Sequence, residues 1–292
     1  MTGEETWVQL AYLVAAICFI VALKGLSAPR TARIGNLIGA AGAVLAVAVA
    51  LTSEHLDNLP LMTAAMAGGV LIGVPTARRV QMTAMPQLVA LFNGVGGGAA
   101  AAVAMVEFLR TGDSDSVGVV LATVFSVLVG CVSLSGSLVT FAKLQELMTT
   151  RPVVFTGGRA VSAGVAALTV VLAVAVLPTR SSGLLAAVAV AGLVCGVLLV
   201  LPVGGADVPV VISLLNAFTG LTVAASGYVL GSTLLIVAGT LVGAAGTLLT
   251  RLMAAAMGRS IASILFGAFT ATSSAGTAGA AEATLSDRKR VA

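Results

Sequence analysis

The chain has 292 residues, of which 59% are hydrophobic and 9% are charged, and its net charge is +4. A soluble domain typically carries about 25% charged residues, so this composition excludes a water-facing globular surface and favours a polytopic membrane protein. The apolar runs are continuous rather than alternating, which excludes the strands of a membrane barrel. No basic cluster with interleaved aromatic residues suggests nucleic acid, and the three cysteines show no metal-binding spacing.

The hydrophobic runs fall into nine segments of transmembrane length. A hydrocarbon core about 30 Å thick takes about 20 apolar residues per helix. The first segment opens with Glu4 and Glu5 rather than with basic residues, so it is not expected to be a cleaved signal peptide. The sequence therefore predicts an all-α transmembrane bundle with spans at about residues 6–23, 34–52, 59–76, 86–108, 117–142, 159–178, 183–203, 208–230 and 232–257.

The composition changes after the ninth span. The last residues are small and polar, and they end in Arg288, Lys289 and Arg290. Such a composition is typical of a linker or tail. We therefore expect a transmembrane domain at residues 1–257 and a cytoplasmic linker or tail at residues 258–292.

The basic residues are distributed unequally between the two sides of this bundle. Alternating the nine spans places thirteen of the fifteen Lys and Arg residues on one side, including the C-terminal tail. Only Arg110 and Arg180 fall on the other side. The positive-inside rule then predicts an external N-terminus and a cytoplasmic C-terminus.

Polar residues recur inside three of the spans. Ser133, Ser137 and Thr140 share one face of the fifth span, and Ser213, Asn216 and Thr219 share one face of the eighth. Asn93 opens a glycine-rich stretch of the fourth span, and the absent side chains predict space around its amide. Polar groups in lipid either join helices or line a hydrated pathway, and the sequence leaves both interpretations open.

Two further features concern helix ends and helix packing. Asp207 lies at the predicted start of the eighth span, where a carboxylate is either a simple charge at the helix N-terminus or part of an interface. Glycines at i and i+4 predict close helix packing in lipid. These pairs are Gly69 and Gly73, Gly94 and Gly98, and Gly239 and Gly243. No Ser-His-Asp set, metal cluster or phosphate loop indicates catalysis by this chain alone.

Several segments resemble, in the same order, the membrane part of the beta subunit of proton-translocating NAD(P) transhydrogenase. The most specific are QMTAMPQLVALFN, ending at Asn93, and GGADVPVVISLLN, ending at Asn216. Others are AYLVAAICFIVALKGLS, SLSGSLVTFAKLQ and LLIVAGTLVGAAG, the last followed by MGRSIASILFGAF. The resemblance extends over about residues 8–269.

This resemblance implies a function divided between several domains. The family couples hydride transfer from NADH to NADP⁺ to proton passage across the membrane. It binds NAD(H) on a separate alpha subunit and NADP(H) on a soluble domain after the membrane part, and it assembles as a dimer of alpha–beta units. We therefore expect no cofactor or metal on this chain. The 292 residues leave no room for the NADP(H) domain, so we expect that domain to be truncated, split off or lost.

The resemblance also implies roles for individual residues. Asn93, Ser137 and Asn216 occupy proton-pathway positions, and Asn93 stands where the family has a proton-accepting histidine. Because an amide does not titrate, the acceptor would have to come from a partner helix. Asp207 and Arg259 occupy positions that face the NADP(H) domain. Glycines of the last helix, with packing or gating roles, match Gly239, Gly243 and Gly246, whereas Ala244 and Ala245 replace a serine pair.

The sequence therefore predicts the membrane subunit of this transhydrogenase in a bacterial inner membrane, inactive in hydride transfer on its own. The alternative is a stand-alone proton channel or small-solute transporter derived from the same domain. A third possibility is a scaffold that packs partner helices through its glycine faces.

Overall fold

The computed structural model describes residues 3–53, 58–111 and 116–265. Within these residues it contains nine helices long and apolar enough to cross a membrane. They are α1 (Gly3–Leu26), α2 (Ala32–Ser53), α3 (Leu59–Arg79), α4 (Met85–Thr111), α5 (Val117–Leu144), α6 (Gly158–Thr179), α7 (Ser182–Val200), α8 (Val208–Val229) and α9 (Thr233–Ala256). The prediction of an all-α bundle with nine spans is confirmed.

Hydroxyl side chains and glycines mark several helix ends. Ser116, Ser181 and Ser232 precede α5, α7 and α9, and each side chain accepts a hydrogen bond from a backbone N–H in the first turn. These caps satisfy donors that the first turn of a helix leaves unpaired. Gly231, with φ of 65°, makes the tight turn between α8 and α9.

The bundle is organised around α5. Helices α4, α7 and α8 pack directly on α5, while α9 packs on α8 and α6 packs on α7. The α1–α2 hairpin joins the bundle mainly through α1 and α9. None of the residues of α3 is buried. The core and its polar residues therefore lie where α4, α5, α7 and α8 meet.

The helix ends differ from the predicted spans by up to three residues. Lys143 was expected just after the fifth span, but it lies in the last turn of α5. Arg159, at the predicted start of the sixth span, lies in the first turn of α6. After α9 the chain turns at Gly258, and residues 261–265 are helical. The rest of the predicted tail, including Arg288, Lys289 and Arg290, lies outside the described residues.

Candidate functional site

Four side chains from three helices form a hydrogen-bonded cluster, which we call the polar ring. Asn93 of α4 donates from Nδ2 to the hydroxyls of Ser137, at 2.9 Å, and Ser133, at 3.3 Å, on α5. The Ser133 hydroxyl lies 2.6 Å from the Thr219 hydroxyl of α8. Thr219 also donates to the backbone carbonyl of Asn93, at 3.4 Å. The ring thus joins α4, α5 and α8.

Two glycines of α4 bring the ring together. A Cβ at Gly94 would lie 2.9 Å from Ser137 Cβ, and one at Gly97 would lie 3.0 Å from Ser133 Cβ. Such short contacts are rare between real Cβ atoms, so a larger residue at either position would push α4 away from α5. The prediction of space around the Asn93 amide is therefore wrong on the α5 side, because α5 itself fills that space.

The ring is buried but incomplete. Ser133 is 0%, Ser137 1% and Asn93 9% exposed. Asn93 Oδ1 is buried and has no hydrogen-bond partner among the described residues. A buried acceptor without a partner costs about 1–3 kcal/mol, and water or a donor from another chain would satisfy it. The ring therefore fixes three helices together while keeping one acceptor free for an exchangeable partner.

The ring cannot hold a proton by itself. Amide and hydroxyl side chains relay hydrogen bonds but do not titrate near neutral pH. It lies about 12 Å from the start of α4, because Asn93 is eight residues from Met85 at about 1.5 Å per residue. This position is in the half of the membrane that the charge distribution predicts to be cytoplasmic.

An ion pair lies at the same end of the bundle. Asp207, which precedes α8, pairs through Oδ2 with Nη1 of Arg259, just after α9. The Asp207 side chain makes no capping hydrogen bond to α8. Its second oxygen, Oδ1, is buried without a partner among the described residues. Asp207 is therefore more than a charge at the helix N-terminus, since it connects the α7–α8 turn to the segment after α9.

Comparison with known proteins decides the family of this chain. The sequence profile of the NAD(P) transhydrogenase beta subunit family matches residues 8–291. This chain belongs to that family. Two curated sequences from Rhodospirillum rubrum, both named NAD(P) transhydrogenase subunit beta, are each 38% identical to it over 278 residues. Those residues are 93% of this chain but 60% of each relative, so the chain spans well under two thirds of their length.

The structure brings together only part of the site predicted for this transhydrogenase family member. Asn93 and Ser137 are in direct contact, as are Asp207 and Arg259. Asn216 is half-buried and has no hydrogen bond to a described residue. The polar residues predicted on one face of α8 contact two different helices. Thr219 points to the polar ring, while Ser213 donates to the Gly246 carbonyl of α9.

The predicted glycines of α9 lie against α8. Gly239, Gly243 and Gly246 are buried. A Cβ at Gly246 would lie 2.8 Å from the Ala217 backbone nitrogen, and one at Gly239 would lie 2.6 Å from the Gly220 carbonyl oxygen. These residues hold α8 and α9 at a separation that any larger residue would increase.

One buried cation was missed by the sequence analysis. Lys143 is 1% exposed, and its ammonium group donates to the backbone carbonyls of Val200, at 3.2 Å, Leu201, at 2.6 Å, and Val203. These carbonyls belong to the C-terminal end of α7, where a cation is favoured and no helical N–H is available. The available signal was its position three residues after Thr140, an i, i+3 spacing that places two side chains next to each other on a helix.

Lys143 connects the polar side of α5 to the turn that bears Asp207. Val203 is four residues before Asp207, and Lys143 is about 9 Å along α5 from Ser137 at 1.5 Å per residue. The chain after α5 holds the same turn, because Thr150 accepts a hydrogen bond from the Gly205 N–H. Lys143 therefore links the helix that carries part of the polar ring to the turn that carries the ion pair.

The described ranges hold no cluster of metal-ligand side chains. No three His, Cys, Asp or Glu side chains lie together as metal ligands there. The buried donors and acceptors described above are suited instead to holding helices and exchanging hydrogen bonds with small partners.

Proposed function

We propose that this chain is the membrane part of a proton-translocating NAD(P)⁺ transhydrogenase, with the polar ring on its proton route. Family membership supports the activity. The observation that carries the route is the buried, unpartnered Asn93 Oδ1 within a ring that otherwise satisfies its members. Such an acceptor can bind water or a protonated group from a partner helix, which then supplies the titratable step that the ring lacks.

The division of labour follows from the same proposal. NADH reduces NADP⁺ on soluble domains, with NAD(H) bound to an alpha subunit and NADP(H) to a domain next to the cytoplasmic face of this chain. The Asp207–Arg259 pair would contact that NADP(H) domain through Arg259, whose side chain is 40% exposed. The complex would be a dimer of alpha–beta units in a bacterial inner membrane.

Coupling requires an element with two arrangements that both the proton and the nucleotide bias. We propose that the α7–α8 turn is that element. It is held from one side by Lys143 and from the other by the Asp207–Arg259 pair. A change at the NADP(H) domain would move the turn and alter the hydrogen bonds that Lys143 donates to it. Because Lys143 lies on α5 together with Ser133 and Ser137, this movement would change access to the polar ring. Asn216, half-buried on α8, would also line the route.

The test is Asn93→Leu in the complex assembled with an alpha subunit and an NADP(H) domain. We expect proton-coupled hydride transfer in proteoliposomes to fall at least tenfold, with normal membrane insertion, because the unpartnered acceptor is removed. Thr123→Val is the matched control. Thr123 is also buried, but its hydroxyl bonds the Val119 carbonyl in its own helix, so activity should be retained.

Other outcomes distinguish the alternatives. Unchanged coupled activity in Asn93→Leu would assign the ring to helix packing alone. Proton conduction by the purified chain without partners would favour the stand-alone channel. If neither coupled activity nor conduction can be reconstituted from the wild-type chain, the scaffold interpretation stands.

A further inference from the structure

A second feature of the bundle lies away from the polar ring, on the outer side of α5, α6 and α7. A cavity of about 590 Å³ opens there, and α6, α7 and the segment after α9 form most of its walls. A smaller cavity of about 220 Å³ shares Val132, Ala166 and Cys195 with the first and continues to Val170 of α6. Together they form one groove, which we call the α6 groove.

The length of the groove matches one leaflet of a bilayer. From Arg159 to Val170 along α6 is eleven residues, or about 16 Å at 1.5 Å per residue. Half of a hydrocarbon core about 30 Å thick is about 15 Å. The deeper cavity is lined almost wholly by apolar side chains, including Leu128, Val129 and Phe218. The groove therefore has the length and chemistry of an acyl chain.

The mouth of the groove carries positive charge and free polar groups. Arg159 is the only charged residue in the lining of the larger cavity, and it forms no ion pair or hydrogen bond within the described chain. One turn later, the Ser162 hydroxyl is buried without a partner. Gly157, which precedes α6, offers no side-chain cap.

These groups make a site for an anion. A cation in the first turn of a helix opposes the helix dipole, so Arg159 gains nothing from its place in α6 unless an anion sits beside it. An anion there would be favoured by the guanidinium group of Arg159 and by the positive end of the α6 dipole. The charge distribution places this end of α6 at the cytoplasmic leaflet, which is the anionic surface of the membrane.

We propose that the α6 groove binds one anionic phospholipid, with its phosphate at Arg159 and an acyl chain along α6 to Val170. Ala262 and Leu265, from the segment after α9, line the same cavity. Arg259, which pairs with Asp207, is three residues before Ala262. The lipid therefore packs against the segment that carries one half of the rim ion pair.

The experiment uses the delipidated full chain in detergent and measures lipid binding by native mass spectrometry. The probes are phosphatidylglycerol and phosphatidylcholine with identical chains. We expect the wild type to prefer the anionic lipid about fivefold, as one basic side chain at a membrane surface provides. Arg159→Gln should remove that preference, and Arg151→Gln, an exposed arginine outside the groove, should keep it.

A second pair of variants tests the acyl chain. Ala166 lines both cavities, whereas the neighbouring Ala167 is exposed and lines neither. Ala166→Leu should weaken both lipids at least threefold, and Ala167→Leu should change neither. The proposal is overturned if Arg159→Gln retains the preference, if Ala166→Leu binds as the wild type does, or if soluble glycerol phosphate competes as strongly as the lipid.

Discussion

At the scale of single residues, the polar side chains of α5 show how a membrane bundle keeps polar groups inside. A polar group in lipid that lacks a partner costs up to several kcal/mol, which favours hydrogen bonds between polar side chains and helices. Thr140 returns its hydrogen bond to the Gly136 carbonyl of its own helix, whereas Ser133 and Ser137 bond across to α4. Lys143 goes further and holds three carbonyls of another helix end. Polar side chains of one helix thus form hydrogen bonds both within that helix and to its neighbours.

Lys143→Met should destabilise the chain by about 2–4 kcal/mol, since the Val203 carbonyl would lose its charged donor and the Val200 and Leu201 carbonyls would each keep only a backbone N–H. Thermal unfolding in detergent, followed by circular dichroism, measures the loss. Lys24→Met is the control, because Lys24 lies in the last turn of α1 and its ammonium group has no hydrogen bond to a described residue. This substitution should shift the free energy of unfolding by less than about 0.5 kcal/mol. Equal effects of the two substitutions would show that the Lys143 contacts contribute nothing.

At the scale of helices, the glycine pairs did not behave alike. The prediction of close packing is confirmed for Gly94 and Gly98 against α5, and for Gly239 and Gly243 against α8. It is not met for Gly69 and Gly73 within the described chain, where nothing lies within 4 Å of a Cβ at either position. The same sequence spacing therefore has different consequences, because close packing needs a partner helix as well as a small residue.

This difference gives a matched pair of variants. Gly239→Ala should lower the melting temperature of the isolated chain by several degrees, because its Cβ would collide with the backbone of Ala224 and Gly220 and push α8 from α9. Gly73→Ala should leave it unchanged or slightly raised, since alanine favours a helix by about 1 kcal/mol over glycine. Both are measured by thermal unfolding in the same detergent. An equal melting temperature for wild type and Gly239→Ala would contradict the close approach of α8 and α9.

At the scale of the whole molecule, the bundle has a dense part and a loose part. Helices α4, α5, α7, α8 and α9 form the dense part, and both candidate sites lie within or at the end of it. The α1–α2 hairpin and α3 lie outside it. A proton route that opens alternately to the two sides of the membrane needs a rigid frame and an element that moves. Only the dense part of the bundle supplies the frame.

The orientation of the whole bundle is testable by labelling single cysteines in a chain whose native cysteines are replaced by alanine. Thr150→Cys follows α5 on the side rich in basic residues, and Ser182→Cys begins α7 on the opposite side. A membrane-impermeant maleimide should label Ser182→Cys in intact bacteria, and Thr150→Cys only after permeabilisation, as the positive-inside rule requires. The reverse pattern would move the α6 groove and the rim ion pair to the outer face.

The sequence by itself determined the nine helices. A helix in lipid must satisfy its own backbone hydrogen bonds, so about 20 apolar residues suffice to specify a span without knowledge of its neighbours. Differences in the spans were confined to helix ends, as at Lys143, which was expected after the fifth span but lies in the last turn of α5. The resemblance implied that Asn93 and Ser137 lie on one proton pathway, but it did not predict the hydrogen bond between them.

Only the tertiary structure decided which polar residues meet. Asn93 and Ser137 are 44 residues apart, and Lys143 and Val203 are 60 apart. Such contacts depend on the rotation and depth of each helix, which the packing of all helices sets together and which no local pattern records. For the same reason Thr219, and not Asn216, points into the polar ring. Local hydropathy fixes that a helix spans the membrane, and interhelical packing fixes what its polar residues can do.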